Sequence, residues 1–241
     1  DNWDKNYKNK IRKFVSDASS FDYLGNIYDT KGENTNLFTF LLTMQNHSPF
    51  QTETYEPTVS LNLDQKYPQA EEYLSLIKES DKAFMQLIQH FEDVEEPTMI
   101  VMFGDHMPNL TDGFYDALAQ ASTLSMEEFD RRKFMTPYLI WTNYDLEVEE
   151  IPVMRASFLG SHLLELAGAE LTEYNKAILE VLDEMPVINE NEVMLADGTW
   201  VTKENLSEEQ KMLLNDYEIL QYNEVFGGRQ RVEQVFADIA G

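Results

Sequence analysis

The sequence predicts an α/β fold, and three observations carry that prediction. Two compact apolar runs, residues 37–44 and Met99–Phe103, are too short for helices and are bounded by turn formers, as buried strands are. Between them, Ala70, Tyr73, Leu74, Ile77, Phe84, Leu87, Ile88 and Phe91 recur at helical spacing, which gives a helix over about 69–91. A strand, a helix and a strand in that order imply a parallel crossover. Each run also ends on a histidine, in Gln45-Asn46-His47-Ser48-Pro49 and Gly104-Asp105-His106. Open α/β sheets bind ligands there, outside the carboxyl ends of their strands.

The other elements follow in chain order. Residues 1–20 are polar and read as a loop that leads into a short helix over about 16–28. Residues 45–66, with prolines at 49 and 57, read as an irregular loop. After His106 the chain is mixed, with helical stretches near 115–121 and 126–134, and 137–141 is a third buried-type strand. Helices then fit 156–167, closed by Gly168, and 173–185, stopped by Pro186. Residues 192–195 and 199–202 flank Asp197-Gly198, a hairpin signal of the kind type I′ turns use. Ser207-Glu208-Glu209-Gln210 is a capping box that opens a last helix to about Phe226, ended by Gly227-Gly228. The organisation expected is a sheet-containing domain over 1–185 and a small hairpin-plus-helix appendage over 186–241.

Composition narrows the function. The chain has 241 residues, 43% hydrophobic and 12% aromatic, enough for a sizeable core. Its 44 acidic and 18 basic residues give a net charge of −26. That excludes nucleic acid as a partner, since phosphate neutralisation needs clustered Lys and Arg, and it disfavours adsorption to anionic lipid. The absence of cysteine excludes thiolate metal sites, cysteine nucleophiles and disulfides. No stretch has the length of a membrane span, and Asp1-Asn2-Trp3-Asp4-Lys5 lacks the basic start and apolar segment of a signal peptide. The chain reads as a piece excised from something longer.

Asp105 and His106 offer a hard oxygen and a borderline nitrogen side by side, a pair suited to one divalent metal. The metal-free reading is also open, because Asp after a strand can cap a helix and His can bond nearby. Two ligands fall short of the three that catalytic metal sites usually draw from protein, so other groups would complete the site. His47 could contact a phosphate or sulfate oxygen, ligate a metal, transfer a proton, or be a plain loop histidine. His90 and His162 lie within helices and receive no role. The acidic groups Glu147/Glu149/Glu150, Asp93/Glu95/Glu96 and Glu208/Glu209 read as solvated surface. There is no GxSxG elbow and no GxxxxGK[ST] phosphate loop.

Several segments together resemble a known family. Thr43-Met44-Gln45-Asn46-His47-Ser48-Pro49-Phe50 is similar to the TMQNH segment of the lipoteichoic acid synthase-like, or phosphoglycerol transferase-like, branch of the sulfatase and alkaline phosphatase superfamily. Phe103-Gly104-Asp105-His106-Met107-Pro108 resembles its FGDHxP segment, and Phe14-Val15-Ser16-Asp17 its YxSD stretch. Tyr73 to Asp81, Thr136 to Trp141, the helix from Leu159 to Gly168 and Pro186-Val187-Ile188-Asn189 also match in order.

The resemblance implies the second half of an alkaline phosphatase-like three-layer α/β/α sandwich. It also implies a membrane-anchored extracellular domain of a Gram-positive-type bacterium, its anchor outside this chain. There a threonine, activated by Mn or Mg (with Zn or Ca as alternatives), takes a phosphoglycerol group from a lipid or envelope polymer and passes it on. Asp105 and His106 would be metal ligands, and His47 would contact the substrate phosphate. The family's nucleophile, its metal-binding glutamate and its Trp/Arg substrate pair lie upstream of the YxSD stretch. Trp3 and Arg12 sit in no matching motif and receive no role. The expected catalytic set in this chain is therefore incomplete, and the chain alone is expected to be inactive. A sulfatase, a phosphodiesterase or a phosphoethanolamine transferase on the same fold, and a non-catalytic surface binding module, are the alternatives.

Overall fold

The computed structural model describes residues 9–50, 53, 55–146, 151–228 and 231–236. Trp3 and the Glu147/Glu149/Glu150 group lie outside those residues. The chain divides into two compact units, Asp1–Tyr144 and Asp145–Gly241.

The first unit opens with a short antiparallel hairpin, β1 (Lys10–Ile11) and β2 (Phe14–Val15), where the sequence alone suggests only loop. Ser16 then caps α1 (Asp17–Asp29), its hydroxyl accepting from the Ser19 amide and satisfying one of the orphan donors of the first turn. The long helix α2 (Pro68–Glu92) starts on a proline whose missing N–H costs nothing at that position. Its apolar stripe divides between two cores. The C-terminal half, with Phe84, Leu87, Ile88 and Phe91, packs with Phe21, Leu24 and Tyr28 of α1 and with Ile100 and Trp141. The N-terminal half, with Ala70 and Leu76, packs with Phe50, Leu110 and Phe114.

β3 (Met99–Phe103) pairs antiparallel with β4 (Tyr138–Thr142), Val101 facing Ile140. Between them run α3 (Asp112–Ala121) and α4 (Met126–Arg132), the latter capped by Ser125. This corrects one expectation. Residues 37–44 form no strand and no parallel crossover joins them to β3, whose strand partner is β4. Apolar composition favours a strand, but a hydrogen-bonded neighbour makes one. Phe38 and Phe40 are 92% and 72% exposed, and among the described residues no strand pairs with that run.

The second unit is helical with a small sheet. α5 (Ala156–Leu166) ends at Gly168, whose φ of +65° is a left-handed termination that glycine adopts without strain. α6 (Glu173–Glu184) starts on a Thr172/Asn175 capping box. β5 (Val187–Ile188), β6 (Glu192–Met194) and β7 (Trp200–Thr202) form an antiparallel sheet in that order. The predicted hairpin is present, but its turn is not type I′. Only Gly198 (φ +82°) takes positive φ, the Gly198 amide bonds to the Leu195 carbonyl, and the connection is a three-residue loop. α7 (Glu208–Phe226) carries the predicted Ser207/Gln210 capping box, and a short α8 (Glu233–Phe236) follows.

The hydrophobic core of this unit joins Phe158, Ile178, Val181 and Leu182 to Ile188, Val193, Leu206, Leu214 and Tyr217. Helices α5 and α6 therefore pack with the hairpin and α7. The compact units part at 144/145, whereas the sequence pattern suggests a boundary at 185/186.

His162 sits in α5 within this unit. Burial pushes its imidazole below the ordinary value of 6.5, with Glu165 and Asp183 opposing. A depressed folded-state pKa means that the folded state binds fewer protons than the unfolded chain. The stabilisation is complete above pH 6.5 and is lost as the pH falls through the folded-state value. Thermal melts of His162→Gln between about pH 8 and pH 5 are expected to show a flatter acid limb than the parent chain.

Candidate functional site

Two loops of the first unit carry the candidate residues, and one core anchors both. Phe50, three residues after His47, and Leu110, four after His106, are buried in the same cluster as Leu76 and Phe114. Phe50 meets Tyr73 of α2 edge-on at 5.5 Å, and Tyr67 meets Phe114 at 5.3 Å.

The Asp105–His106 loop begins where β3 stops. The Gly104 amide donates to the Pro137 carbonyl (3.1 Å), and the Thr136 hydroxyl donates to the Gly104 carbonyl (2.7 Å). Gly104 lies so close to β4's approach that a Cβ there would meet the Thr136 Cβ at 3.0 Å. Gly104→Val is expected to destabilise the chain by about 1–3 kcal/mol, the usual range for overpacking, and to displace the following pair. A denaturant midpoint within error of the parent's would contradict that.

Asp105 and His106 stand in the open, with side chains 70% and 67% exposed. Asp105 Oδ1 accepts from the His106 amide (2.9 Å), which pins one carboxylate oxygen. His106 Nδ1 lies 2.8 Å from the Met107 carbonyl. A carbonyl only accepts, so Nδ1 carries the hydrogen and the neutral ring keeps its lone pair on Nε2. A bond of this kind from the other ring nitrogen is what usually orients a metal-ligating histidine. Nε2 and Asp105 Oδ2 are 3.7 Å apart, less than twice a typical metal–ligand bond of about 2.1 Å. The pair fits one divalent cation, but as part of a ligand set. No cluster of three or more His, Cys, Asp or Glu suited to a metal occurs among the described residues. His47 is thus not gathered with the pair into one metal cluster.

His47 is held by its own turn. Its amide donates to the Met44 carbonyl (3.1 Å) and its Nδ1 donates to the Ser48 carbonyl (2.6 Å), which leaves Nε2 for a ligand. The ring meets Phe14 of β2 edge-on at 5.9 Å. The Ser48–Pro49 peptide bond is cis.

Beneath this turn lies a polar network that the sequence did not reveal. Gln45 is buried, its Oε1 accepting from the Asp17 amide (2.9 Å) and its Nε2 donating to the Leu76 carbonyl (3.2 Å) and Ser80 Oγ (3.0 Å). Asn46 donates to the same Ser80 Oγ (2.7 Å), which in turn donates to Asp17 Oδ2 (2.5 Å). Burial pushes the Asp17 carboxyl up, while bonds from Ser80 and Thr43 pull it down. Arg12 and Glu72 complete the network. The signal that could have found them is a polar residue on an apolar face: Ser80 interrupts the α2 stripe, and Glu72 falls between Ala70 and Leu76. A recess lined by Phe50, Lys66, Tyr67, Thr111 and Gly113 adjoins the shared core, but none of the three candidate residues lines it.

Fold and site together define a mixed α/β protein that presents a carboxylate–imidazole pair at a strand end. The profile of the sulfatase family matches residues 1–169. The chain belongs to the sulfatase family. It is 25% identical over 209 residues to a putative cyclic beta-1,2-glucan modification protein of Rhizobium meliloti (strain 1021), across 83% of this chain and 32% of that protein. Its fold matches Streptococcus pyogenes phosphoglycerol transferase GacH, solved in complex with sn-glycerol-1-phosphate, with a TM-score of 0.64. The identity there is 22%, over 90% of this chain and 51% of that one. The chain thus spans about a third of the length of the first of these proteins and about half of the second. These likenesses bear out the expected fold class and the expected sulfatase family.

Proposed function

We propose that this chain carries part of the active site of a metal-dependent phosphoglycerol transferase of the sulfatase family, acting on lipid-linked or envelope polymers at the outer face of the cell membrane. The observation that carries the reading is the open Asp105–His106 pair, with one carboxylate oxygen and one imidazole nitrogen 3.7 Å apart and each side chain oriented by a bond through its other polar atom. The likeness to a transferase solved with sn-glycerol-1-phosphate supports phosphoglycerol as the transferred group.

In this reading Asp105 Oδ2 and His106 Nε2 hold the cation, Mn or Mg. A divalent cation there would lower a nucleophile's pKa and offset charge on the transferring phosphoryl group. His47, fixed as the Nδ1–H tautomer, turns Nε2 to a phosphate oxygen and donates to it when protonated. The family's nucleophile lies upstream of the YxSD stretch and has no counterpart assigned in this chain, so in this reading the chain alone binds without turnover.

The test is titration of the chain with sn-glycerol-1-phosphate in the presence of Mg, followed by NMR. Shifts at residues 45–50 and 104–107, weakened in His47→Ala, are expected, with no phosphodiester hydrolysis. Metal-dependent cleavage lost in His106→Ala would overturn the inactivity. Preference for a sulfate ester over glycerol phosphate would favour the sulfatase alternative.

A further inference from the structure

Arg12 occupies the β1–β2 turn with a φ of +56°, a left-handed conformation that few side-chain-bearing residues adopt. Its side chain leaves water almost entirely (3% exposed) and meets the fully buried Glu72 of α2, Nη1 lying 3.4 Å from Oε1. The guanidinium then spends its donors on one short segment of chain. Nη2 donates to the carbonyls of Gln45 (2.6 Å) and His47 (2.9 Å), and Nη1 to that of Pro49 (2.9 Å). The rings of Phe14 and Phe50 lie 5.4 and 5.5 Å from its centre. Phe14 is also the ring that His47 meets edge-on.

From this geometry we infer that Arg12, held by Glu72, is the positioning residue for His47. The inference rests on the reading of His47 as a phosphate-contacting group. Three alternate carbonyls, at 45, 47 and 49, are gathered onto one planar cation, so the backbone on both sides of His47 is fixed in a single curvature. Only a guanidinium has enough donors in a rigid fork to do this; a lysine ammonium is a point charge on a flexible stem. A cation buried so deeply needs a counter-charge, and Glu72 supplies it from the most deeply buried stretch of α2. Gln45, tied to Asp17, Leu76 and Ser80, holds the same turn from its other side. The imidazole is thereby preorganised: its position is set before any ligand arrives.

A purely structural role would be to fasten the hairpin to α2, and the two roles separate by experiment. The double variant Arg12→Met/Glu72→Met keeps side-chain volume and leaves no buried charge, so the packing survives while the carbonyls lose their clamp. Amide exchange at His47 is expected to quicken by at least about tenfold, as for loss of one charge-assisted hydrogen bond, with exchange in α5 and α6 unchanged. The apparent affinity for sn-glycerol-1-phosphate, read at the His47 imidazole, is expected to fall by a similar factor. Arg12→Lys, which retains charge without the fork, gives a second route to the same two readouts if the double variant does not fold. A folded variant whose His47 exchange and glycerol phosphate affinity both stay within about twofold of the parent overturns the inference. If the parent's own His47 ignores glycerol phosphate, the reading of His47 fails, and exchange alone still decides whether Arg12 fixes the loop.

Discussion

Asp105→Asn combined with His106→Ala is expected to abolish the specific divalent-metal binding proposed for this chain. Losing one outer-shell partner of a metal ligand alone typically costs about 10–100-fold in affinity, so removal of both direct donors is expected to exceed about 100-fold. The high acidity of the chain makes the control important. With 44 acidic residues, diffuse and weak Mn binding is unavoidable, and it remains in the double variant. The specific component is the one that disappears. Isothermal titration with Mn over both proteins separates the two, and equal tight-phase affinities would remove Asp105 and His106 from the site.

Leu76→Ala is expected to carry the largest stability effect. Leu76 is fully buried in the N-terminal half of α2, in the core shared by the two loops. Truncation there leaves a cavity, and such changes cost about 2–5 kcal/mol. The consequence reaches the site. Gln45, which braces the His47 turn, donates to the Leu76 carbonyl, and Phe50 belongs to the same cluster. Denaturant unfolding gives the stability. Faster amide exchange at residues 45–50 would show that the loop loosens along with the core, whereas a loss below about 1 kcal/mol would contradict the packing described.

What the sequence disclosed, and what it withheld, divides along physical lines. Periodicity and caps are local, and they were legible: the α2 stripe, the Ser207/Gln210 box, the Gly168 stop and the tail hairpin all appear where the pattern puts them. Strand pairing is not local. The 37–44 run has strand composition, yet it forms no ladder here, because a ladder needs a neighbour that composition cannot specify. The candidate site shows the same division. Asp105, His106 and His47 stood out as chemically distinctive residues at the ends of apolar runs. Arg12, Gln45 and the α2 pair Glu72 and Ser80 come from three separate stretches of sequence and are joined only by folding, so their connection was not legible before it. Polar residues on the buried face of a helix, here Glu72 and Ser80, are the trace that such a network leaves in a sequence.

Whether Asp105 and His106 together bind a divalent cation can be read from residue-resolved paramagnetic broadening. Substoichiometric Mn added to the isotope-labelled chain is expected to broaden the amides of residues 104–107 first, well before those of the acidic Glu208–Glu209 turn. Broadening that spreads evenly over the acidic surface and spares 104–107 would contradict the account.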